Sequence, residues 1–153
     1  MANSKRKNTM DYMTAAFRFW ARRGCPTYEE ARDRIFNRAL KSAEGQDPEK
    51  AVLYAEGEVA RASAELCDVM ACDIVFREFR ESGNELICEA VREVYMVQPF
   101  MPIKRNDITN RVRAFSYKVP ISEAQVYRYL ARARKAFVTV RNLREDAPDE
   151  IKW

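Results

Sequence analysis

Fifty consecutive residues without proline separate Pro48 from Pro99, and this stretch contains only two glycines, Gly57 and Gly83. Proline and glycine are the residues that most often end helices and form tight turns. A β-sandwich or β-barrel needs many such turns, whereas a bundle of long helices needs few. Because the 153 residues include only four glycines and six prolines, we expect an all-α fold, a small helical bundle.

Apolar residues that recur every three or four positions predict the first helices of this bundle. The first helix is expected over Thr9 to Arg23. The second begins at a capping box formed by Thr27 and Glu30 and should end near Gly45. Its predicted core stripe is Tyr28, Ala31, Ile35 and Ala39.

An N-cap at Asp47 followed by Pro48 predicts the start of a long third helix. We expect it to bend at Gly57 and to end at the Ser82–Asn84 turn, after which another helix follows. The uncharged segment 94–103 predicts a helix end and a connector packed on the core. The apolar positions of the helix after the turn are Leu86, Ile87, Ala90, Val91 and Val94.

Charge divides the chain into four predicted regions. Residues 1–46 form a basic N-terminal segment with 10 basic and 5 acidic side chains, and residues 47–103 form an acidic body with 5 and 12. Residues 104–145 hold 11 basic and 3 acidic side chains, and residues 146–153 form an acidic tail. The net charge of +4 therefore hides a strongly polar molecule.

Several classes of function are disfavoured by what the sequence lacks. It contains no histidine, and its four cysteines form no CxxC pair, so we expect neither a metal site nor a cofactor. Phosphate-binding and nucleophile motifs such as GxxxxGK(S/T), GxGxxG and GxSxG are absent. We therefore expect a protein that is not an enzyme. No apolar run is long enough for a signal core or a membrane span, which favours the cytoplasm.

The basic region 104–145 is predicted to form a C-terminal helix-turn-helix. A short helix is expected over 106–115, capped by Asp107, and a turn over 116–120. Ser122 and Gln125 form a second capping box that starts the last helix. A short helix, a turn and a capped long helix are the parts of a helix-turn-helix.

The last helix is predicted to have one buried face and one basic face. The buried face is expected to contain Val126, Leu130, Ala133, Phe137 and Val140. The opposite face, at about 100° per residue, is expected to contain Ala124, Arg128, Ala131, Arg132 and Lys135, with Tyr127 and Arg134 on a flank. A basic face often serves only to keep a protein soluble. Because this region contains so few acidic residues, we favour DNA binding.

The candidate DNA contacts fall into two groups. The predicted phosphate binders are Lys104, Arg105, Arg111, Arg113, Lys118, Arg132 and Arg141. The residues placed to reach base edges are Glu123, Gln125, Tyr127 and Arg128. The same predicted surface includes Ser122, Arg134 and Lys135.

The C-terminal region resembles a known DNA-binding motif. A Ser-x-x-x-Val-Tyr-Arg stretch over 122–128, with Asp107, Ile108 and Val112 before it and residues 133–137 after it, resembles the region-4-type helix-turn-helix of sigma factors. It is more similar to the phage late-transcription regulators of the RinA and ArpU types. The resemblance covers about residues 60–143 and implies a recognition helix at Ser122–Lys135 in the major groove. The turn over 116–120 is longer than in those families and lacks their glycine.

Three functional hypotheses follow. The first is a sequence-specific, DNA-binding transcription regulator of phage or mobile-element type, which binds double-stranded DNA and has RNA polymerase as a candidate partner. The second is a helical interaction protein that binds polymerase or acts as an inhibitor, and the third is a DNA-packaging recognition subunit. The apolar spacing from Val126 to Val140 would also suit a homodimer, or else only the protein's own core.

Overall fold

The computed structural model of the protein describes residues 11–142. Within this range the chain forms seven α-helices and no strand, which confirms the all-α prediction. The helices are α1 (Tyr12–Arg22), α2 (Tyr28–Ser42), α3 (Pro48–Arg61), α4 (Ser63–Glu81), α5 (Glu85–Val91), α6 (Asp107–Lys118) and α7 (Glu123–Arg141). A π-helical turn, Arg92–Met96, continues α5. The predicted helix start at Thr9 and the acidic tail over 146–153 lie outside the described residues.

The first two helices begin at capped N-termini. The Asp11 carboxylate accepts a hydrogen bond from the Thr14 backbone N–H at 2.8 Å. The predicted capping box at Thr27 and Glu30 is confirmed, because each side chain accepts from the other residue's backbone N–H. Between these helices Gly24 has a φ of 81°, a conformation that glycine adopts without steric cost. These local signals fix where α1 ends and α2 begins.

The core is centred on aromatic side chains from three helices. Phe17 of α1 lies between Phe76 of α4 and Phe137 of α7, with ring centroids 6.0 Å and 5.6 Å away. Trp20 packs edge-on against Phe76, and Tyr12 packs against Phe137. Large aromatic rings contribute most of the apolar area in such a core. The most distant parts of the described sequence therefore meet in one hydrophobic cluster.

Helix α7 packs against α1, α4, α5 and α6. The predicted buried face is confirmed at Val126, Leu130, Ala133 and Phe137, and Val140 packs beside it, half-buried. This stripe covers the protein's own core. It is therefore not available as a coiled-coil seam between two copies, and a homodimer would have to use another surface.

Helices α2 and α3 form a hairpin in which the two helices pack mainly against each other. Helix α2 also packs against α4. The predicted core stripe of α2 is only partly confirmed, because Ala39 is buried whereas Tyr28, Ala31 and Ile35 are half-buried. The buried residues of this hairpin are small alanines, which allow the two helices to approach closely. The predicted boundary between residues 46 and 47 falls in the turn of this hairpin.

The predicted single long helix after Pro48 is two helices in the structure. Gly57 lies inside α3, and the chain instead breaks at Ala62, whose φ and ψ are −90° and 15°. This break ends the α2–α3 hairpin. After it, α4 packs against the aromatic core through Phe76. In α5 the apolar prediction is confirmed at Ile87, Ala90 and Val91 but not at Leu86, which is exposed.

Candidate nucleic-acid interface

The two helices of the predicted helix-turn-helix are joined by a shorter turn than expected. Helix α6 continues through Ser116, Tyr117 and Lys118 and ends before Val119, whose backbone is extended. Val119 precedes Pro120, and the residue before a proline is sterically disfavoured in a helix. The predicted turn over 116–120 is therefore corrected to residues 119–121, followed by the N-cap Ser122.

The start of α6 also differs from the prediction. Asn106, with a φ of 71°, is the N-cap, and Asp107 is the first helical residue. The Asp107 carboxylate accepts a hydrogen bond from the Lys104 backbone N–H at 2.7 Å. Asp107 thus holds the turn that precedes the helix instead of capping the helix.

The N-terminus of α7 has half of the predicted capping box. The Ser122 hydroxyl accepts from the Gln125 backbone N–H at 3.1 Å, as expected. The Gln125 side chain does not complete the box, because its Oε1 accepts from Arg128 Nη1 at 3.0 Å. Gln125 therefore orients Arg128, a residue predicted to read bases.

One exposed face of α7 is basic and aromatic. It consists of Tyr127, Arg128, Arg132 and Lys135, separated by the exposed small residues Ala124 and Ala131; we call these four residues the α7 face. The predicted outward orientation of this face is confirmed. Within residues 11–142, no carboxylate lies within 4 Å of its three cations. Their positive charge is therefore available to an anionic partner.

The cations of α6 already have partners within the fold. Arg113 pairs at 3.3 Å with Glu123, which lies in the first turn of α7. Lys118 pairs with Glu93 at 2.8 Å, and the hydrogen bond raises the pKa of Lys118. Arg111 donates to the Val94 carbonyl. Lys104 and Arg105 lie exposed in the loop before α6.

Two predicted DNA contacts are instead partly buried and pair with acidic residues of distant elements. Arg134 donates to Asp11 at 2.5 Å, and Arg141 donates to Asp68 at 2.7 Å and to the Tyr12 hydroxyl at 2.9 Å. Burial opposes the charge of each arginine, but the carboxylate beside it outweighs burial and raises the pKa of Arg134 and of Arg141. We therefore exclude both from the candidate interface, because their guanidinium groups hold α7 to α1 and α4.

A buried arginine, Arg18, was not predicted from the sequence, and only 1% of its surface is exposed. Its guanidinium donates to backbone carbonyls that follow α5, and Arg22 adds one bond to Pro99 at 3.1 Å. The carbonyl acceptors of Arg18 are Tyr95 at 2.6 Å, Val97 at 3.2 Å, Gln98 at 2.9 Å and Met101 at 2.5 Å. The burial of Arg18 could have been inferred from its neighbours in the sequence. It is a single charge among the apolar residues Ala16, Phe17, Phe19 and Trp20.

Two further kinds of feature were sought among the described residues. No group of three potential metal ligands occurs among residues 11–142, and no helix in this range is long and apolar enough to cross a membrane. Cys72 and Cys88 are buried, and burial raises the pKa of both thiols. A raised pKa lowers the thiolate fraction and with it the reactivity of a cysteine.

Comparisons of the chain with protein-family models, with curated proteins and with solved structures found no match.

Proposed function

We propose that the protein is a transcription regulator of phage or mobile-element type that binds double-stranded DNA through the α7 face. The observation that supports this most is the exposed set of Arg128, Arg132 and Lys135, with Tyr127 among them and no carboxylate partner in the described part of the chain. DNA is a dense array of phosphates, and binding of cations to it releases counterions. We place this activity in the cytoplasm, with RNA polymerase as the protein partner.

The N-terminal end of α7 is the part of the helix that we propose reads bases. Glu123, Gln125, Tyr127 and Arg128 lie in its first two turns, where side chains of a recognition helix reach base edges. Arg128 can donate two hydrogen bonds to a guanine. Its bond to Gln125 supports this role, because a partner that limits its rotamers lowers the entropy cost of that contact.

The proposed phosphate contacts come from α7, from α6 and from the loop before α6. Arg132 and Lys135 lie further along α7, and Lys104 and Arg105 lie in the loop that leads into α6. Arg113 and Lys118 are exposed on α6 and would have to exchange Glu123 and Glu93 for phosphates. These contacts set affinity and register but carry no sequence information.

A binding titration of the full-length protein tests this proposal. Labelled duplexes of random sequence are titrated at salt concentrations between about 50 and 200 mM, and we expect log affinity to fall linearly with log salt. Selection from a randomised duplex library should then enrich one motif. Absence of salt-dependent binding would overturn the proposal. A transcription assay with purified polymerase separates a regulator from a packaging subunit, which would bind DNA without changing transcript yield.

An interaction protein is the second candidate, and one observation favours it. Helix α3 exposes Val52, Leu53 and Tyr54, three consecutive large apolar side chains. Exposed apolar groups of this kind are found at protein interfaces. Retention of purified polymerase by the protein in the absence of DNA would support this candidate, particularly if Leu53→Ala abolished it.

A further inference from the structure

The loop between the π-helical turn and α6 exposes two apolar side chains. Phe100 is 79% exposed and Met101 is 55% exposed, although most large apolar residues of the described chain are at least half-buried. Pro99 and Pro102 flank this pair. Exposing a phenylalanine has no benefit for folding, because burial of such a ring is worth about 2 kcal/mol or more. The loop therefore presents a residue that the fold does not use.

The backbone beneath these side chains is held in one shape. Arg18 and Arg22 together bind the carbonyls of residues 95, 97, 98, 99 and 101. Hydrogen bonds from a charged donor are about twice as strong as neutral ones. They hold Gln98 at a φ of 48°, a left-handed conformation that a non-glycine residue seldom adopts. Phe100 is thus an exposed ring on a rigid support.

Basic side chains lie beneath the Phe100 loop and after it. Burial, followed by the charges of Arg111 and Arg22, lowers the pKa of Arg18, and Asp107 opposes this shift. All three arginines donate to carbonyls and not to carboxylates among the described residues. Lys104 follows Phe100 by four residues, which places their Cα atoms within about 14 Å of each other. Both Lys104 and Arg105 are exposed.

We infer that Phe100 is a wedge that inserts between neighbouring bases of the bound DNA, while Lys104 and Arg105 bind the phosphates beside the opened step. This inference rests on the proposed function and adds a second contact to it. Apolar side chains such as phenylalanine, methionine and proline enter base steps in known DNA-bending proteins. Rigidity favours such insertion, since a preorganised side chain loses little entropy when it binds.

Charge and size favour DNA over a protein partner at this loop. In DNA, the flat face of each base lies close to phosphates. Phe100 could stack on such a face while the cations near it bind the phosphates. A stable protein interface buries on the order of 800 Å² on each side and has a core depleted of charge. The exposed apolar pair is too small for such an interface, and Lys104 and Arg105 follow it after only two residues.

The test uses duplexes that carry the fluorescent base 2-aminopurine at successive positions of the selected site. Unstacking of this base increases its fluorescence, so we expect wild-type protein to increase it at one step. In Phe100→Ala the increase should disappear and affinity should fall on the order of 10-fold, whereas the salt slope should stay the same because no charge is removed. Phe100→Leu, which keeps an apolar wedge, should retain most of the increase.

Leu53→Ala is the matched control, since Leu53 is also an exposed apolar residue but lies on α3. It should bind the duplexes with wild-type affinity and give the wild-type fluorescence increase, and all three variants should keep the wild-type Tm. If wild type and Phe100→Ala bind with the same affinity and the same fluorescence, the wedge is overturned and DNA binding stands. If wild type binds no DNA, both the wedge and the proposed function are overturned. Phe100 would then be free to serve a protein partner.

Discussion

At the scale of single residues, Tyr12, Asp68 and Arg141 form a buried network that joins α1, α4 and α7. The Tyr12 hydroxyl donates to Asp68 at 2.8 Å, and Arg141 donates to both. Burial of the hydroxyl, together with its bond to Asp68, raises the pKa of Tyr12 to about 12, although Arg141 opposes the shift. The network therefore favours the neutral tyrosine.

This shift predicts a loss of stability at alkaline pH. Because the pKa of Tyr12 is higher in the folded than in the unfolded chain, its contribution is complete below about pH 10 and is lost as pH rises to about 12. Tyr12→Phe lacks the titrating group and cannot lose this contribution. The gap in unfolding free energy between wild type and Tyr12→Phe should therefore shrink by about 2 kcal/mol from pH 10 to pH 12. Urea unfolding at several pH values measures it. A difference that is constant with pH would contradict the network.

Arg128 and Arg132 lie one turn apart on the α7 face and should differ in role. For Arg128→Ala we expect a loss of about 1–3 kcal/mol on the selected site and much less on random duplex. Arg132→Ala should weaken binding to both duplexes alike, because phosphate contacts carry no sequence information. Competition titrations with both duplexes measure this. Equal losses from the two variants on both duplexes would remove Arg128 from base reading.

At the scale of elements, the loop held by Arg18 depends on one buried side chain. Arg18→Met removes the donor of four carbonyls, and groups left without partners cost about 1–3 kcal/mol each when they stay buried. Since the loop can move some of them to water, we expect a total loss of about 3 kcal/mol. Hydrogen exchange of the Met101 and Lys104 amides, which donate to the Gln98 carbonyl and to Asp107, should become faster.

Arg22→Met is the matched control, because Arg22 has one carbonyl acceptor where Arg18 has four. It should cost about 1 kcal/mol and leave exchange in most of the loop unchanged. If the two variants have the same unfolding free energy and the same exchange pattern, Arg18 does not support the loop.

The periodicity of the sequence was enough to predict most helices and the buried face of α7. A spacing of three and four residues requires only local geometry, so Val126, Leu130, Ala133 and Phe137 could be assigned without knowledge of their neighbours. The depth of burial could not be assigned in this way. Tyr28, Ala31 and Ile35 have the same spacing on α2 but are only half-buried, because α2 packs chiefly against α3.

Partners that are distant in sequence explain the errors in the candidate site. Arg134 and Arg141 have the same sequence character as Arg128 and Arg132, yet their carboxylate partners lie 123 and 73 residues away. The pattern within one helix cannot reveal such pairs. The break at Ala62 was missed for a related reason: α3 packs mainly on α2, whereas α4 packs also on α1, α5 and α7, and no glycine or proline marks the point between them.

At the scale of the whole molecule, folding pairs part of the basic C-terminal region with acidic residues of other regions. Several basic side chains of region 104–145 are neutralised by acids of other regions, as Lys118 is by Glu93 and Arg141 by Asp68. The α7 face is not neutralised within residues 11–142. The fold thus leaves three cations on one exposed face of α7 without a carboxylate partner among the described residues, and this helix shares its core with α1, α4 and α5.

The central claim is that this face, and not net charge alone, binds DNA phosphates. The direct measurement compares the salt dependence of random-duplex binding for wild type, for Arg132→Ala/Lys135→Ala, and for Arg38→Ala/Lys41→Ala. The last pair removes the same charge from exposed positions of α2. We predict that the α7 variant loses about 2 from the magnitude of the salt slope, one for each phosphate contact, while the α2 variant keeps the wild-type slope. Equal slopes in the two variants, or no salt-dependent binding by wild type, would contradict the claim.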